Sequence, residues 1–331
     1  MIFVVLPEVE ILDLAGPLQA FAEANRGRER YRVRVCSTRE KIRSHHGVVL
    51  ADLDPLPEIE SAVGSRRSAG DGDSVSLPPT ADRRLPTPIV VVPGMPYAAT
   101  LKIERAVIRW LANAARAGAH VTSVCTGAFA LGEAGLLDGR RCTTHWSRTA
   151  ELQKRFPQAR VLEDRLFVTD GNITTSAGIA SGIDMALAMI EQADGPILAA
   201  EIAREMVVYL RRDGAQEQSS VYLDYRTHLH PGVHRVQDWI IRNPSAHATL
   251  DELANVAAMS TRSLTRTFRA ATGISVHEFA TRVRLELART LLHDPSMTME
   301  AVARTCGFSA RQLRRLFETG HSVRTRTTAR A

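Results

Sequence analysis

Residues 119–137, AHVTSVCTGAFALGEAGLL, decide how the first two-thirds of this 331-residue chain folds. Val121 and Val124 mark a buried strand, Cys125 an abrupt turn, and Gly127 the opening of a helix. Gly127 and Gly132 leave room for tight backbone around that turn. Strand, nucleophile-type side chain and helix in direct succession form a nucleophile elbow. Such an elbow lifts one side chain to the C-terminal edge of a parallel sheet and aims a helix N-terminus at it. The helix dipole and free N–H groups there favour a thiolate. On either side of the elbow, the apolar runs 2–6 and 89–94 read as buried strands. Residues 31–36 and 47–53 read as further strands, and 166–169 with 172–174 as a hairpin around Asp170-Gly171. Helices are expected from about Gly16, with Leu18, Phe21 and Ala22 on one face, then over 101–117, 180–192 and 196–211. Strands alternating with helices imply an open, mostly parallel α/β sheet for residues 1–212. Residues 64–88 hold Gly, Ser, Pro, Arg and Asp without apolar periodicity and read as a flexible surface insertion.

Composition places the chain among soluble globular proteins, with 44% apolar and 24% charged residues. No apolar run approaches the roughly 20 residues that span a bilayer. The opening residues lack a basic n-region and read as strand and loop, not as a signal peptide. The four cysteines (Cys36, Cys125, Cys142, Cys306) form no C-x-x-C pair. Neither a zinc site nor a disulfide framework is expected; a reducing cytoplasm fits, and no metal or cofactor is implied.

Charge is unevenly placed. Residues 219–331 carry 16 Arg, no Lys and nine acidic residues, a net +7, while the remainder of the chain is at −1. Concentrated Arg on a small domain suits a polyanion, although an Arg-rich solvated face has the same composition. Residues 213–231 read as a linker and 234–242 as a helix sharing Val236, Trp239 and Ile240 on one face.

Beyond Pro244 the chain repeats itself at an offset of 49 residues. Leu253-Ala254 becomes Val302-Ala303, Ala258-Met259-Ser260 becomes Gly307-Phe308-Ser309, and Arg262, Leu264, Arg266 and Phe268 become Arg311, Leu313, Arg315 and Phe317. A small residue sits at a helix crossing, another in the turn, and a Ser N-cap opens a second helix that buries Leu and Phe and exposes Arg. That is a helix-turn-helix, twice, within an all-α domain at 232–331. A joining helix over 276–292 carries Phe279, Val283, Leu287 and Leu291 along one side.

Four stretches, LDLAGP (12–17), VVPGMP (91–96), SVCTGAFALGEAGLLDGRRCTTHW (123–146) and TSAGIASGIDMAL (175–187), resemble the ThiJ/PfpI superfamily. The resemblance implies the class I glutamine amidotransferase-like, flavodoxin-like fold. It also implies a carboxylic acid, here Asp13 in the first strand–helix loop, opposite the elbow Cys125. Backbone N–H groups near Gly94-Met95 and at Thr126 are expected to form an anion-binding pocket. Proteolytic relatives often place a histidine directly after the cysteine; Thr126 stands there instead. His145, in a TTHW motif, is expected to be a hydrogen-bonded structural residue of the pocket, with a role as base the alternative. The isocyanide hydratase branch resembles this domain around Asp13, Cys125 and Thr126 and needs no catalytic histidine.

Residues 232–320 resemble the AraC/XylS DNA-binding domain, closest in LARTLLHDPSMTMEAVARTCGF (287–308). The two resemblances together are those of the GlxA-type transcription regulators. They imply that each recognition helix enters a major-groove segment, the two held about one turn of DNA, roughly 34 Å, apart. Arg262, Thr265 and Arg266 stand at base-facing positions of the first helix, and Arg311, Gln312 and Arg315 of the second. Arg suits guanine O6/N7 and Gln suits adenine. The second unit departs from the family by one missing residue after CGF. Its closing helix is replaced by RTRTTARA (324–331), so 321–331 are expected to be disordered.

The expected function is sequence-specific transcription regulation, with double-stranded DNA as partner. A small effector, an amine or amino-acid metabolite, is expected in the Cys125 pocket. A cytoplasmic homodimer away from membranes is implied. The rivals are an isocyanide hydratase-like enzyme, with Cys125 and Asp13 catalytic and the tail accessory, and a redox sensor in which Cys125 is oxidised.

Overall fold

The structure, a computed structural model, describes residues 1–58, 87–96, 102–208, 212–214, 216, 218, 221–292 and 297–318. The expected insertion (64–88) falls almost wholly, and the expected disordered tail (321–331) wholly, outside the described residues. The chain divides into two compact units, Met1–Gln218 and Ser219–Ala331.

In the first unit the strands are β1 (Ile2–Val4), β2 (Arg34–Cys36), β3 (Ile42–Arg43), β4 (Val49–Leu50), β5 (Ile89–Val92), β6 (His120–Val124), β7 (Arg141–Cys142), β8 (Arg160–Val161), β9 (Phe167–Asp170) and β10 (Ile173–Ser176). Six of them form one sheet in the order β2-β1-β5-β6-β10-β9, parallel throughout except for the β9–β10 hairpin. Continuous apolar runs such as Ile89–Val92 fit this sheet because both of its faces are covered. The helices are α1 (Ile11–Ala24), α2 (Arg105–Arg116), α3 (Ala128–Glu133), α4 (Thr149–Arg155), α5 (Ala180–Asp194) and α6 (Pro196–Glu205). One core packs β1, β5 and β6 with α2 and α3 through Val4, Val92, Leu111, Phe129 and Leu131. The other packs the opposite face with α1, α5 and α6 through Phe3, Phe21, Val124, Met185 and Ile202.

Helix α1 begins at Ile11, not near Gly16, and runs through Pro17. Asp13 therefore lies in its first turn rather than in a loop. The burial of Asp13, Leu14, Pro17 and Phe21 along one side carries the helix back through Gly16-Pro17 to Ile11; Ala22 faces solvent. Helix α6 ends at Glu205, short of the expected 211.

The second unit holds α7 (Val221–Asp224), α8 (Pro231–Arg242), α9 (Leu250–Ala257), α10 (Thr261–Thr272), α11 (Val276–Leu292), α12 (Met299–Thr305) and α13 (Ala310–Glu318). The stretch expected as a bare linker, 213–231, is bonded to structure at both ends. The Gln218 amide donates to Thr144 O at 2.9 Å and to Glu163 O at 3.0 Å within the first unit. Val221 is 6% exposed in the second unit's core, and Tyr225 packs edge-on against Phe279.

Helices α9–α10 and α12–α13 are the repeated helix-turn-helix units. Ser260 Oγ accepts from Ser263 N at 3.2 Å, and Ser309 Oγ accepts from Gln312 N at 3.2 Å. Phe268 is fully buried, whereas its repeat partner Phe317 is partly buried. The turns match in backbone, with φ +53° at Ala258 and +72° at Gly307. Ala258 is exposed and pays the steric cost of the left-handed region that its glycine counterpart avoids. Ala258→Gly is expected to stabilise the second unit by about 0.5–1 kcal/mol in denaturant unfolding. An unchanged or lower midpoint would mean that the turn is not strained.

Candidate functional site

Four strand ends converge on Cys125. The residue follows β6, has φ +56° and is 9% exposed. Its carbonyl accepts from Thr144 Oγ1 at 2.8 Å. Asp13 arrives after β1, Gly94 and Met95 after β5, and Gly178 and Ile179 after β10. Two glycines make this convergence possible. A Cβ on Gly94 would lie 2.5 Å from Asp13 Oδ2 and 2.8 Å from Cys125 Cβ. One on Gly178, where φ is +111°, would lie 2.5 Å from Cys125 Cβ. The room given by Gly127 serves packing rather than the turn, since a Cβ there would strike Val92 O at 2.2 Å.

The carboxyl of Asp13 is fully buried. Its Oδ1 accepts from Ile179 N at 2.6 Å, while Oδ2 lies beside the Cys125 thiol and the Gly94 amide without a full hydrogen bond. Burial pushes its pKa from 3.8 to about 6, against the lowering effect of the Ile179 N–H and the thiol. Burial first, and then the nearby Asp13 charge, push the Cys125 thiol well above its ordinary value. The site thus holds a neutral thiol beside a carboxyl that is readily protonated. The thiolate expected from the helix dipole is not favoured, because desolvation outweighs the dipole.

The expected anion cradle is also altered. Met95 N donates to Thr126 Oγ1 at 2.8 Å, and that hydroxyl donates back to Met95 O at 2.6 Å. The Gly94 N–H is directed at Asp13 and the Thr126 N–H at the Cys125 sulfur. Of the three amides, the Met95 N–H is hydrogen-bonded within the protein, and the other two face Asp13 and the Cys125 sulfur. His145 Nδ1 is paired with Ser147 Oγ at 2.8 Å, and burial, then Arg148, lower its pKa. No hydrogen bond joins His145 to Cys125 or Asp13 among the described residues.

Above Cys125 opens a cavity of about 220 Å³ lined by Glu10, Met95, Pro96, Cys125, Thr126, His145, Ser147, Arg148 and Ile179. Asp13 and Gly94 support its floor from beneath. Glu10, Arg148 and Ile179 had no signal in sequence as site residues. Ile179 in particular adopts φ +48°, which its β-branched side chain disfavours. No group of metal-binding residues is found among the described residues.

In the second unit Arg262, Thr265 and Arg266 are exposed on α10, and Arg311, Gln312 and Arg315 on α13. Arg314 is tied to Glu300 at 2.8 Å.

Residues 1–192 match the DJ-1/PfpI family, and residues 253–330 match a helix-turn-helix domain. The chain belongs to the DJ-1/PfpI family. It is similar to the HTH-type transcriptional regulator GbdR of Pseudomonas aeruginosa, at 31% identity over 92% of this chain and 77% of that protein. It is similar to the HTH-type transcriptional regulator GlxA of Rhizobium meliloti at 30% identity, over 60% of this chain and 61% of the relative. The isonitrile hydratase of Pseudomonas putida is 31% identical over 58% of this chain and 71% of the enzyme. The chain is therefore an AraC-family, DNA-binding transcription regulator with a DJ-1/PfpI domain. No described helix of this regulator is long and apolar enough to cross a membrane.

The raised pKa of Asp13 has a stability consequence with a fixed sign. The folded state holds its proton more tightly than the unfolded state, so the contribution is fully present below pH 3.8 and is lost as pH rises through about 6. Relative to Asp13→Asn, the parent protein is expected to lose about 3 kcal/mol of stability across that window. Unfolding curves of the two proteins that stay parallel from acid to neutral pH would show that Asp13 does not titrate there.

Proposed function

We propose that the Cys125 cavity is the effector site of this regulator and that its occupancy changes how the second unit engages DNA. The observation that carries this is the make-up of the site: a cavity over a buried thiol whose pKa is pushed up, a buried carboxyl beside it, and a Met95 N–H already bonded to Thr126 Oγ1. Such a floor offers hydrogen bonds and shape, and burial keeps its thiol from acting as an activated nucleophile. At the rim, Glu10 is paired with His46 at 3.2 Å and Arg148 with Glu151 at 3.1 Å. Solvent-exposed pairs of this kind are weak and exchange readily for a ligand. One carboxylate and one guanidinium around about 220 Å³ suit a small amine or amino-acid metabolite. DNA is contacted by Arg262, Thr265 and Arg266 and by Arg311, Gln312 and Arg315. The regulator works in the cytoplasm, where its DNA is, and as a homodimer.

A second reading has its own support. The positive φ of Cys125 is the kind of strain that active sites store, and the isonitrile hydratase is a similar chain. On that reading isonitrile turnover is measurable and vanishes in Cys125→Ala.

Two experiments test the first reading. Arg266→Ala is expected to lower affinity for selected genomic fragments by at least about tenfold, and affinity for the parent protein falls steeply with salt. Unchanged footprints in Arg262→Ala and Arg266→Ala would remove α10 from the interface. Amine and amino-acid metabolites that raise the thermal midpoint should also shift DNA affinity, and both effects should weaken in Glu10→Gln and Arg148→Gln. A DNA response retained in both variants would place the sensor elsewhere.

A further inference from the structure

The two helix-turn-helix units do not share a core. Val236, Leu253, Leu264, Phe268, Phe279 and Val283 form one cluster. Leu285, Ala288, Val302, Cys306 and Leu313 form the other. Helix α11 is common to both, and it changes face between them. At about 100° per residue, Val276, Phe279 and Val283 lie on one side, and Leu285 and Ala288 on roughly the opposite side. The expected single stripe through Leu287 and Leu291 is accordingly replaced by two faces, with those two leucines partly buried. One helix buried on opposite faces joins two bodies through a single rod, so their relative placement also depends on the contacts beside it.

Arg284 sits on the flank between the two faces, one residue after Val283. Its Nε donates to Pro244 O at 2.8 Å and its Nη2 to Ala246 O at 2.8 Å, so one planar guanidinium grips both sides of the loop between α8 and α9. That loop in turn reaches the second unit. Ser245 Oγ donates to Thr305 O at the end of α12. His247 lies against the α12–α13 turn so closely that a Cβ on Gly307 would stand 2.9 Å from its Nε2. The loop is thus attached to the first helix-turn-helix by the chain, to the joining helix by Arg284, and to the second helix-turn-helix by Ser245 and His247. Attachment at three places restrains the two units beyond what the helix alone does.

We infer that Arg284 is a positioning residue for DNA recognition: through the 243–247 loop it locks the two helix-turn-helix units at one separation, and so sets the spacing of the two half-sites that the regulator accepts. The inference rests on both units engaging DNA. Its chemistry needs two parallel donors in a fixed fork, which Arg supplies and Lys does not.

The test is selection from random duplex DNA by the full chain, followed by sequencing. The parent protein is expected to select two boxes at a single separation of about one helical turn. Arg284→Ala is expected to select the same two boxes with separations spread over several base pairs. Inserting two base pairs into the selected site should cost the parent at least about tenfold in affinity and the variant less than about threefold. Arg284→Lys, which can keep one of the two bonds, should fall between them. Thermal unfolding checks that the variants are folded; if Arg284→Ala is not, Ser245→Ala, which removes the bond to Thr305, is read in its place. A folded variant that keeps the single separation overturns the inference. So does a uniform loss of affinity with a shallower salt dependence, which marks a phosphate contact instead. A parent protein that selects only one box overturns the two-unit reading together with the inference.

Discussion

The hydrogen bond from the Ile179 N–H to Asp13 Oδ1, 2.6 Å long, ties the segment after the last central strand to the first turn of the first helix, across the elbow. Cys125 could not hold φ +56° on its own; a non-glycine residue there needs its surroundings to fix it. Those surroundings are Asp13 below, Gly94 and Gly178 pressed against its Cβ, and Thr144 on its carbonyl. Each comes from a different part of the chain, and each reaches the site only because the parallel sheet brings its strand ends to one edge. The same crowding desolvates Asp13 and Cys125, pushing the carboxyl up to about 6 and the thiol well above its ordinary value. An enzyme-like elbow therefore carries a thiol that burial holds protonated beside a buried carboxyl.

The elbow and the exit of the first unit share one hydrogen-bond network. Thr144 bonds the Cys125 carbonyl through its hydroxyl and accepts from the Gln218 amide through its own carbonyl. Arg212 is bonded to Asp184 at 2.6 Å, and Gln216 O accepts from Leu166 N at 3.0 Å, so the segment leaving the unit is held at several points. Two residues separate Gln218 from Val221, the first buried residue of the second unit's core.

Much of the fold is legible in the sequence, because the relevant patterns are local. The apolar run 89–92, the β9–β10 hairpin around Gly171 and the doubled Leu264/Phe268 and Leu313/Phe317 spacing each declare their element without tertiary help. The start of α1 does not, since Gly16-Pro17 mimics a boundary that burial overrides. The site was half legible. Asp13, Gly94, Cys125 and Thr126 sit in motifs, but their protonation and the engagement of their amides depend on neighbours distant in sequence. Ile179 is illegible on principle, since nothing in a β-branched residue announces a positive φ.

The joining helix shows the same limit in a sharper form. Read as a sequence, Phe279, Val283, Leu287 and Leu291 lie along one side of the helix that joins the two units. The structure instead turns the buried face over between Val283 and Leu285, because the two helix-turn-helix units pack against α11 from different sides. An apolar stripe says that a helix is covered; it does not say by how many bodies. Once two bodies share one rod, packing alone no longer fixes their spacing, and the polar contacts at the changeover acquire a role that hydrophobic burial cannot fill. Arg284, between the faces and bonded to two carbonyls of one loop, occupies that changeover. If both helix-turn-helix units engage DNA, the hydrogen bonds of this half-buried arginine bear on specificity as directly as any side chain that touches a base.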